Sequence, residues 1–253
     1  QMCIRDRPVT WLAPDKDGMI VHHLSPWSEA GYYYLSATGE EIPELPRSGS
    51  SASGRTQATT FTEAIFHEQD LESPGETGHI LVGEDFRYTP RRQFTFALPD
   101  RVEGTDVGMN CRFFTNALSS APTLSFSANG KPLTPSARCP VSSGDSYGDT
   151  TQIRRTFSLT GNSLNLEINY SASGTVSRAA LDALTVNYTR RLALQGGTLD
   201  FATSDAALKL AGATAETRVW DVTEPRSVKA IAAEASADAL TSVSYTHLRA
   251  HET

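Results

Sequence analysis

Hydrophobic residues recur at every second position over much of the chain from Phe94 onward, and this spacing restricts the possible folds more than any other feature. A strand with this spacing collects apolar side chains on one face and polar ones on the other. The pattern is clearest where Leu164, Leu166, Ile168 and Tyr170 alternate with polar residues. It predicts strands with one buried face, which are typical of antiparallel sheets.

Other segments repeat this alternation and are separated by Gly, Asn, Pro and Ser turns. They are Phe94–Leu98, Val107–Phe113, Leu124–Ala128, Phe157–Leu159, Leu184–Tyr188 and Leu192–Leu194. The dipeptide Asn129-Gly130 is a strong signal for a two-residue hairpin. We therefore predict an all-β chain built around an antiparallel, jelly-roll-like β-sandwich, with partial β segments on both sides.

The spacing of these strands also suggests limits for the domains. We predict the sandwich at 61–195, preceded at 8–60 by the end of another β segment and a Ser/Gly/Thr-rich linker. Residues 196–241 would begin a following β segment. The alanine-rich stretch 230–240 leaves strand and helix equally open, because propensity is a weak guide there.

The two ends of the sequence differ in style from the interior. Residues 1–7 and 242–253 resemble translated sequencing-adapter read-through, and we expect neither to belong to the fold. If these two ends are excluded, Cys3 does not belong to the fold, and Cys111 and Cys139 remain as a possible cysteine pair.

Charge and hydropathy exclude two classes of protein. The net charge of -7 argues against a general nucleic-acid binder, which needs a basic surface to displace counterions from phosphate. The sequence contains no apolar run near the roughly 18 residues that a membrane-spanning helix needs.

The segment His67-Glu68-Gln69-Asp70 gathers the residue types that bind metals or transfer protons. On a strand, however, His67 and Gln69 would face one side while Glu68 and Asp70 face the other. We therefore interpret the group as hydrogen-bonding residues of a surface or turn. The adjacent pair His22-His23 would diverge in the same way, which argues against a shared metal site.

Cys111 shares its strand face with the apolar residues Val107, Met109 and Phe113. This position favours a buried packing residue, with a disulfide to Cys139 as the next alternative and a nucleophile as the least favoured. The Arg pairs at 91–92, 154–155 and 190–191 are interpreted as solvated strand faces or edges. From these residues we predict no catalytic, cofactor-binding or metal-binding residue within the chain, and no cofactor.

Several short motifs, taken in their order along the chain, resemble one known family. They are Phe66–Asp70, Thr77–Phe86, Ala180–Asp182, Asn187–Leu192, Leu199–Phe201 and Val219–Pro225. The set resembles the PorU-type sortases of the type IX secretion system, a gingipain-like cysteine peptidase family of Bacteroidetes, over roughly Tyr32 to Pro225. The chain departs from the family at Ala183, where tyrosine is usual, and at Leu81 and Val82, where aromatics are common.

This resemblance implies a parent protein that is exported to the outer-membrane surface. Such a sortase removes the C-terminal signal of secreted cargo and attaches the cargo to anionic lipopolysaccharide. The family's catalytic His and Cys follow the Val219–Pro225 landmark, so no catalytic residue is carried onto this chain. The expected partners are cargo proteins and translocon components.

Two other functions fit a β-sandwich. A carbohydrate-binding module would need exposed aromatic side chains that stack on sugar rings, and the densest aromatic group is Trp27 with Tyr32, Tyr33 and Tyr34. A structural adhesin domain would be followed by further copies of the same sandwich.

Overall fold

The computed structural model describes most of the chain. The described residues are 2–5, 10–24, 32–35, 47–48, 57–78, 80–142, 147–173, 176–203, 207–223, 227–235, 239–243 and 247–251. Within these residues the regular structure is β-strand, apart from one 3₁₀ turn at Pro74–Glu76. None of the described residues forms a helix long and apolar enough to cross a membrane.

The strands are numbered here in chain order. They are β1 (Met2–Arg5), β2 (Thr10–Pro14), β3 (Ile20–Leu24), β4 (Tyr32–Leu35), β5 (Arg47–Ser48), β6 (Thr60–Glu68), β7 (Arg91–Ala97), β8 (Asp106–Ala117), β9 (Thr123–Ala128), β10 (Lys131–Arg138), β11 (Asp149–Ser158), β12 (Ser163–Ser171), β13 (Val176–Arg191), β14 (Thr198–Ala202), β15 (Ala207–Ala211), β16 (Arg218–Asp221), β17 (Lys229–Ile231), β18 (Ala233–Ala235), β19 (Ala239–Val243) and β20 (His247–His251).

The chain divides into two compact units, which are described separately. Unit 1 comprises residues 1–37, 64–98 and 103–188, and unit 2 comprises residues 38–63, 99–102 and 189–253. The domain limits predicted from the sequence stay a prediction.

Two four-stranded sheets form the sandwich of unit 1. Their strand orders are β10-β9-β12-β7 and β11-β8-β13-β6, and the described registers between neighbours are antiparallel. Apart from the β9–β10 hairpin, consecutive strands from β6 to β13 alternate between the two sheets. This crossing pattern is jelly-roll-like, and it confirms the predicted all-β, antiparallel sandwich.

The apolar faces predicted from the alternation form the interior of this sandwich. Each sheet buries one row of side chains, which is the geometry that a period of two produces. The fully buried large residues include Phe86, Leu98, Met109, Phe113, Leu124, Leu164, Leu166, Ile168, Leu181, Leu184 and Tyr188. Phe113 connects two aromatic contacts, because its ring centroid lies 5.2 Å from that of Phe86 and 5.8 Å from that of Tyr170.

The predicted Asn129-Gly130 hairpin is confirmed and joins β9 to β10. Both residues have positive φ, 47° and 79°, as a type I′ turn requires, and Ala128 pairs with Lys131 across it. The Asn129 side chain extends the contact to β12, since its Oδ1 accepts from Asn165 N at 2.7 Å.

Unit 2 has a smaller apolar core of its own. Its sheets have the strand orders β14-β20-β16-β17-β5 and β15-β19-β18. The stretch 230–240, for which helix and strand were equally open, contributes to three strands, β17, β18 and β19. The two ends that resemble read-through include β1 and β20, and their origin stays a prediction. Buried members of the core are Phe61, Leu192, Leu194, Leu199, Phe201, Leu208, Leu210, Ala213, Val219, Ile231 and Leu240.

The interior packing leads to a stability prediction. Leu166→Ala should lower the free energy of unfolding by about 2–5 kcal/mol, because it leaves a cavity at a fully buried site. The matched variant Leu118→Ala should change it by less than about 0.5 kcal/mol, since Leu118 is 49% exposed. Urea unfolding of both variants measures the difference, and equal effects would contradict the assigned core.

Candidate functional site

A hairpin formed by β2 and β3 packs on the outward face of the β11-β8-β13-β6 sheet of unit 1. Asn187 on β13 holds the backbone of Ile20 on β3 with two hydrogen bonds. The Ile20 amide donates to Asn187 Oδ1 at 2.7 Å, and Asn187 Nδ2 donates to the Ile20 carbonyl at 2.8 Å. The side-chain amide thus replaces the hydrogen bonds that a neighbouring strand would supply.

Local residues shape the hairpin's turn for this contact. Asp15 Oδ1 accepts hydrogen bonds from the amides of Asp17 at 2.9 Å and Met19 at 3.1 Å, and Gly18 supplies the positive φ of 80°. On the sheet side, Gly108 leaves room for Met19, because a Cβ on Gly108 would lie 2.9 Å from the Met19 terminal methyl.

Charged groups hold the same turn against β11. The guanidinium of Arg154 contacts Asp15 Oδ2 at 2.6 Å and also pairs with Asp17. The sequence predicts a solvated strand face or edge for Arg154. The structure corrects this, since only 24% of the Arg154 side chain is exposed.

His22 on β3 is buried at the centre of this contact. Its Nδ1 lies 3.0 Å from Thr185 Oγ1, and its Nε2 contacts the Glu68 carboxylate. The imidazole stacks on Phe66 with ring centroids 3.9 Å apart. His22 is therefore a satisfied, buried hydrogen-bonding residue that links the hairpin to β6 and β13.

Arg112 on β8 extends this network. Its Nη2 lies 3.4 Å from Glu68 Oε1 and 3.2 Å from Asp182 Oδ1. Asp182 occupies a bulge in β13, because Leu181 pairs with Phe113 while Ala183 pairs with Arg112. Burial raises the pKa of Asp182 to about 6, with Arg112 acting in the opposite direction and Glu68 adding to the rise.

A cleft of about 320 Å³ lies beside these residues. Its walls come from the hairpin and from β8, β11 and β13, all within unit 1. The lining residues are Pro14, Asp15, Val21, His22, Asn110, Arg112, Gln152, Ala183 and Thr185.

The structure separates the residues of the predicted His67–Asp70 group. His67 Nε2 lies 2.5 Å from Glu84 Oε1, and its ring packs 5.0 Å from Phe94, whereas Glu68 joins His22 and Arg112. Strand alternation in β6 accounts for this divergence. No cluster of three His, Cys, Asp or Glu side chains able to hold a metal occurs among the residues that the structure describes.

Both interior cysteines are buried, free thiols in the sandwich core. Burial raises the pKa of the Cys111 thiol far above its ordinary value and raises that of Cys139 to about 11. The thiolate is the nucleophilic form, so neither group is activated for attack. The prediction that Cys111 is a packing residue is confirmed.

The remaining arginine pairs make specific contacts. Arg91 lies on the edge strand β7 and binds Glu167 at 2.5 Å, and Arg155 on the edge strand β11 donates to the Pro135 carbonyl. Arg190 in unit 2 contacts Glu63 at 2.9 Å and Asp100 at 3.3 Å. The predicted edge positions are confirmed for 91–92 and 154–155, although Arg154 is ion-paired rather than solvated. Arg190 is likewise an ion-pairing residue rather than a solvated one.

Comparison with known proteins places the chain among all-β sandwich structures. Its fold is similar to that of dimeric latent PorU from Porphyromonas gingivalis, with a TM-score of 0.78 and 21% sequence identity. The match covers 92% of this chain and 24% of that one, so the chain spans about a quarter of the PorU structure. At this identity the likeness shows a PorU-like β fold.

Other comparisons add little. A family 35 carbohydrate-binding module from Clostridium thermocellum matches 50% of this chain and 90% of its own at 14% identity, with a TM-score of only 0.29. No protein-family model and no curated protein sequence matches the chain.

The buried thiols lead to a prediction of low reactivity. In a Cys3→Ser background, Cys111 and Cys139 should react with Ellman's reagent at pH 8 at least about 100-fold more slowly in the folded protein than in guanidinium, because burial blocks access and disfavours the thiolate. Rapid reaction of either thiol before unfolding would contradict the assignment.

Asp182 should make stability depend on pH. Between about pH 4 and 6 the Asp182 carboxyl group loses its proton in the unfolded state but keeps it in the folded state. The free energy of unfolding therefore falls as pH rises through this window. Asp182→Asn should reduce that fall by about 1–3 kcal/mol. Urea unfolding at pH 4, 5.5 and 7 measures it, with the exposed Asp106→Asn as control. If the free energy of unfolding of Asp182→Asn depends on pH as steeply as that of the wild type, the pKa of Asp182 is not raised.

Proposed function

We propose that this chain is a non-catalytic β region of a type IX secretion sortase exposed on the outer-membrane surface. In this role it supports the peptidase domain of the parent protein and presents surface to secreted cargo and translocon components. The observation that carries the proposal is the fold similarity to PorU over 92% of the chain. The ordered sequence motifs give independent support, because they depend on residue identity and not on the fold.

The contacts of the motif residues fit a supporting role. Glu68 pairs with His22, and His67 pairs with Glu84. Asp182 pairs with Arg112, and Asn187 holds the β2–β3 hairpin. These motif side chains contact other parts of unit 1 and stabilise its architecture, which is consistent with a supporting role.

Catalysis is assigned to the parent protein's downstream peptidase domain. The interior thiols of this chain are buried in an apolar core, which opposes a nucleophilic role. Cargo cleavage and transfer to lipopolysaccharide would therefore need the catalytic His and Cys that the resemblance locates after Val219–Pro225.

An activity measurement tests the non-catalytic role. The purified chain should fold yet cleave no peptide from a library that includes C-terminal cargo signals. Cys111→Ala should behave like the wild type in this assay. Thiol-dependent hydrolysis that disappears in Cys111→Ala would overturn the proposal.

The intact gene provides a second test. The sequence after Pro225 should encode a peptidase domain with a catalytic His and Cys, on the order of several hundred residues further along. Further copies of the same sandwich in that position would favour a structural adhesin instead.

A further inference from the structure

We propose that the cleft between the β2–β3 hairpin and the sandwich sheet binds an uncharged, hydroxyl-rich ligand about the size of one sugar ring. The cleft has a volume of about 320 Å³, at the lower end of the range of roughly 300–1,000 Å³ that small-molecule pockets occupy. The proposal goes beyond the supporting role and does not depend on the sortase assignment.

Asn110 places an unpaired polar atom at the cleft. Its side chain is only 3% exposed and lines the cleft, yet its Oδ1 has no hydrogen-bond partner among the described residues. A buried polar atom left unpaired destabilises the folded protein, because it has lost its hydrogen bonds to water. A ligand that donates a hydrogen bond to this oxygen would offset that cost.

Arg112 lines the same cleft and lies near Asn110 on β8. Asn110 and Arg112 are two residues apart on β8, so both project from the same face of the strand. Arg112 Nε also lacks an aligned hydrogen-bond acceptor in the described part of the chain, although Asp182 Oδ2 lies 3.2 Å away. The cleft therefore presents an unpaired acceptor on Asn110 and, on the same strand face, a guanidinium donor that is ion-paired with Asp182 but not aligned for a hydrogen bond.

This pairing favours a hydroxyl group over other ligand groups. A hydroxyl donates one hydrogen bond and accepts two, so it complements either side chain. A hydroxyl also fits Asn110 if the side-chain amide is rotated by 180°, because it can accept from the amide nitrogen as well as donate to the amide oxygen. Neighbouring hydroxyls of a sugar could reach Gln152, whose side chain lies on the same cleft wall.

The charges around the cleft favour a neutral ligand. Arg112 is balanced by Glu68 and Asp182, and the Asp15 carboxylate is held by Arg154. A charged ligand would have to break one of these pairs, and a separated charge in a partly buried site is costly. The neutral group that the cleft offers a ligand is thus the unpaired amide oxygen of Asn110.

Ligand-observed NMR on the purified chain tests the proposal. The probes are glucose, galactose, mannose and N-acetylglucosamine, with glucosamine and glucuronic acid as charged comparisons. We expect saturable binding of at least one neutral sugar and weaker binding of the charged ones. Asn110→Ala should weaken that binding by about tenfold or more, because it removes the unpaired acceptor.

Two further variants keep the test decisive. Ala183→Val adds volume to the cleft wall without removing a polar group, so it should weaken binding even if Asn110→Ala proves unstable. Gln93→Ala, an exposed glutamine on the other sheet, should leave binding unchanged. Absence of saturable binding to any neutral sugar up to 100 mM would overturn the proposal and leave water as the occupant. Binding that neither cleft variant weakens, or binding of charged sugars alone, would overturn it equally.

Discussion

The rest of unit 1 depends on the packing of two apolar faces against each other inside the sandwich. Each of the eight strands from β6 to β13 contributes to one of two sheets, and the buried rows interlock through residues such as Phe113 and Leu166. Because the period is two, burying one face leaves the other available for polar side chains. On β8 the same strand that buries Met109 and Cys111 thus presents Asn110 and Arg112 outward.

The β2–β3 hairpin packs against the polar face of the β11-β8-β13-β6 sheet. Apolar packing alone would give this contact little geometric specificity, whereas Asn187, His22 and Arg154 fix the hairpin's register through directional hydrogen bonds and ion pairs. The cleft follows from this arrangement, since the hairpin covers only part of the polar face.

Sequence reasoning predicted the strands, their buried faces and the Asn129-Gly130 turn, because those features depend on neighbouring residues. It missed the hairpin contact, which joins Ile20 to Asn187 across 167 residues. It also missed the role of Asp182, because a bulge breaks the alternation that was used to assign faces. The sequence shows Asn110 and Arg112 on the polar face of β8, but it contains no signal that a hairpin covers that face.

Amide hydrogen exchange tests most directly whether the sandwich is a rigid supporting body. The amides of β8, β12 and β13 within unit 1 should exchange only through global unfolding, with protection that decreases in parallel as urea is added. The hairpin amides should exchange earlier, through local opening. Exchange of the β8 and β12 amides within seconds under native conditions would contradict the account, because it would mean that the sandwich has no stable interior.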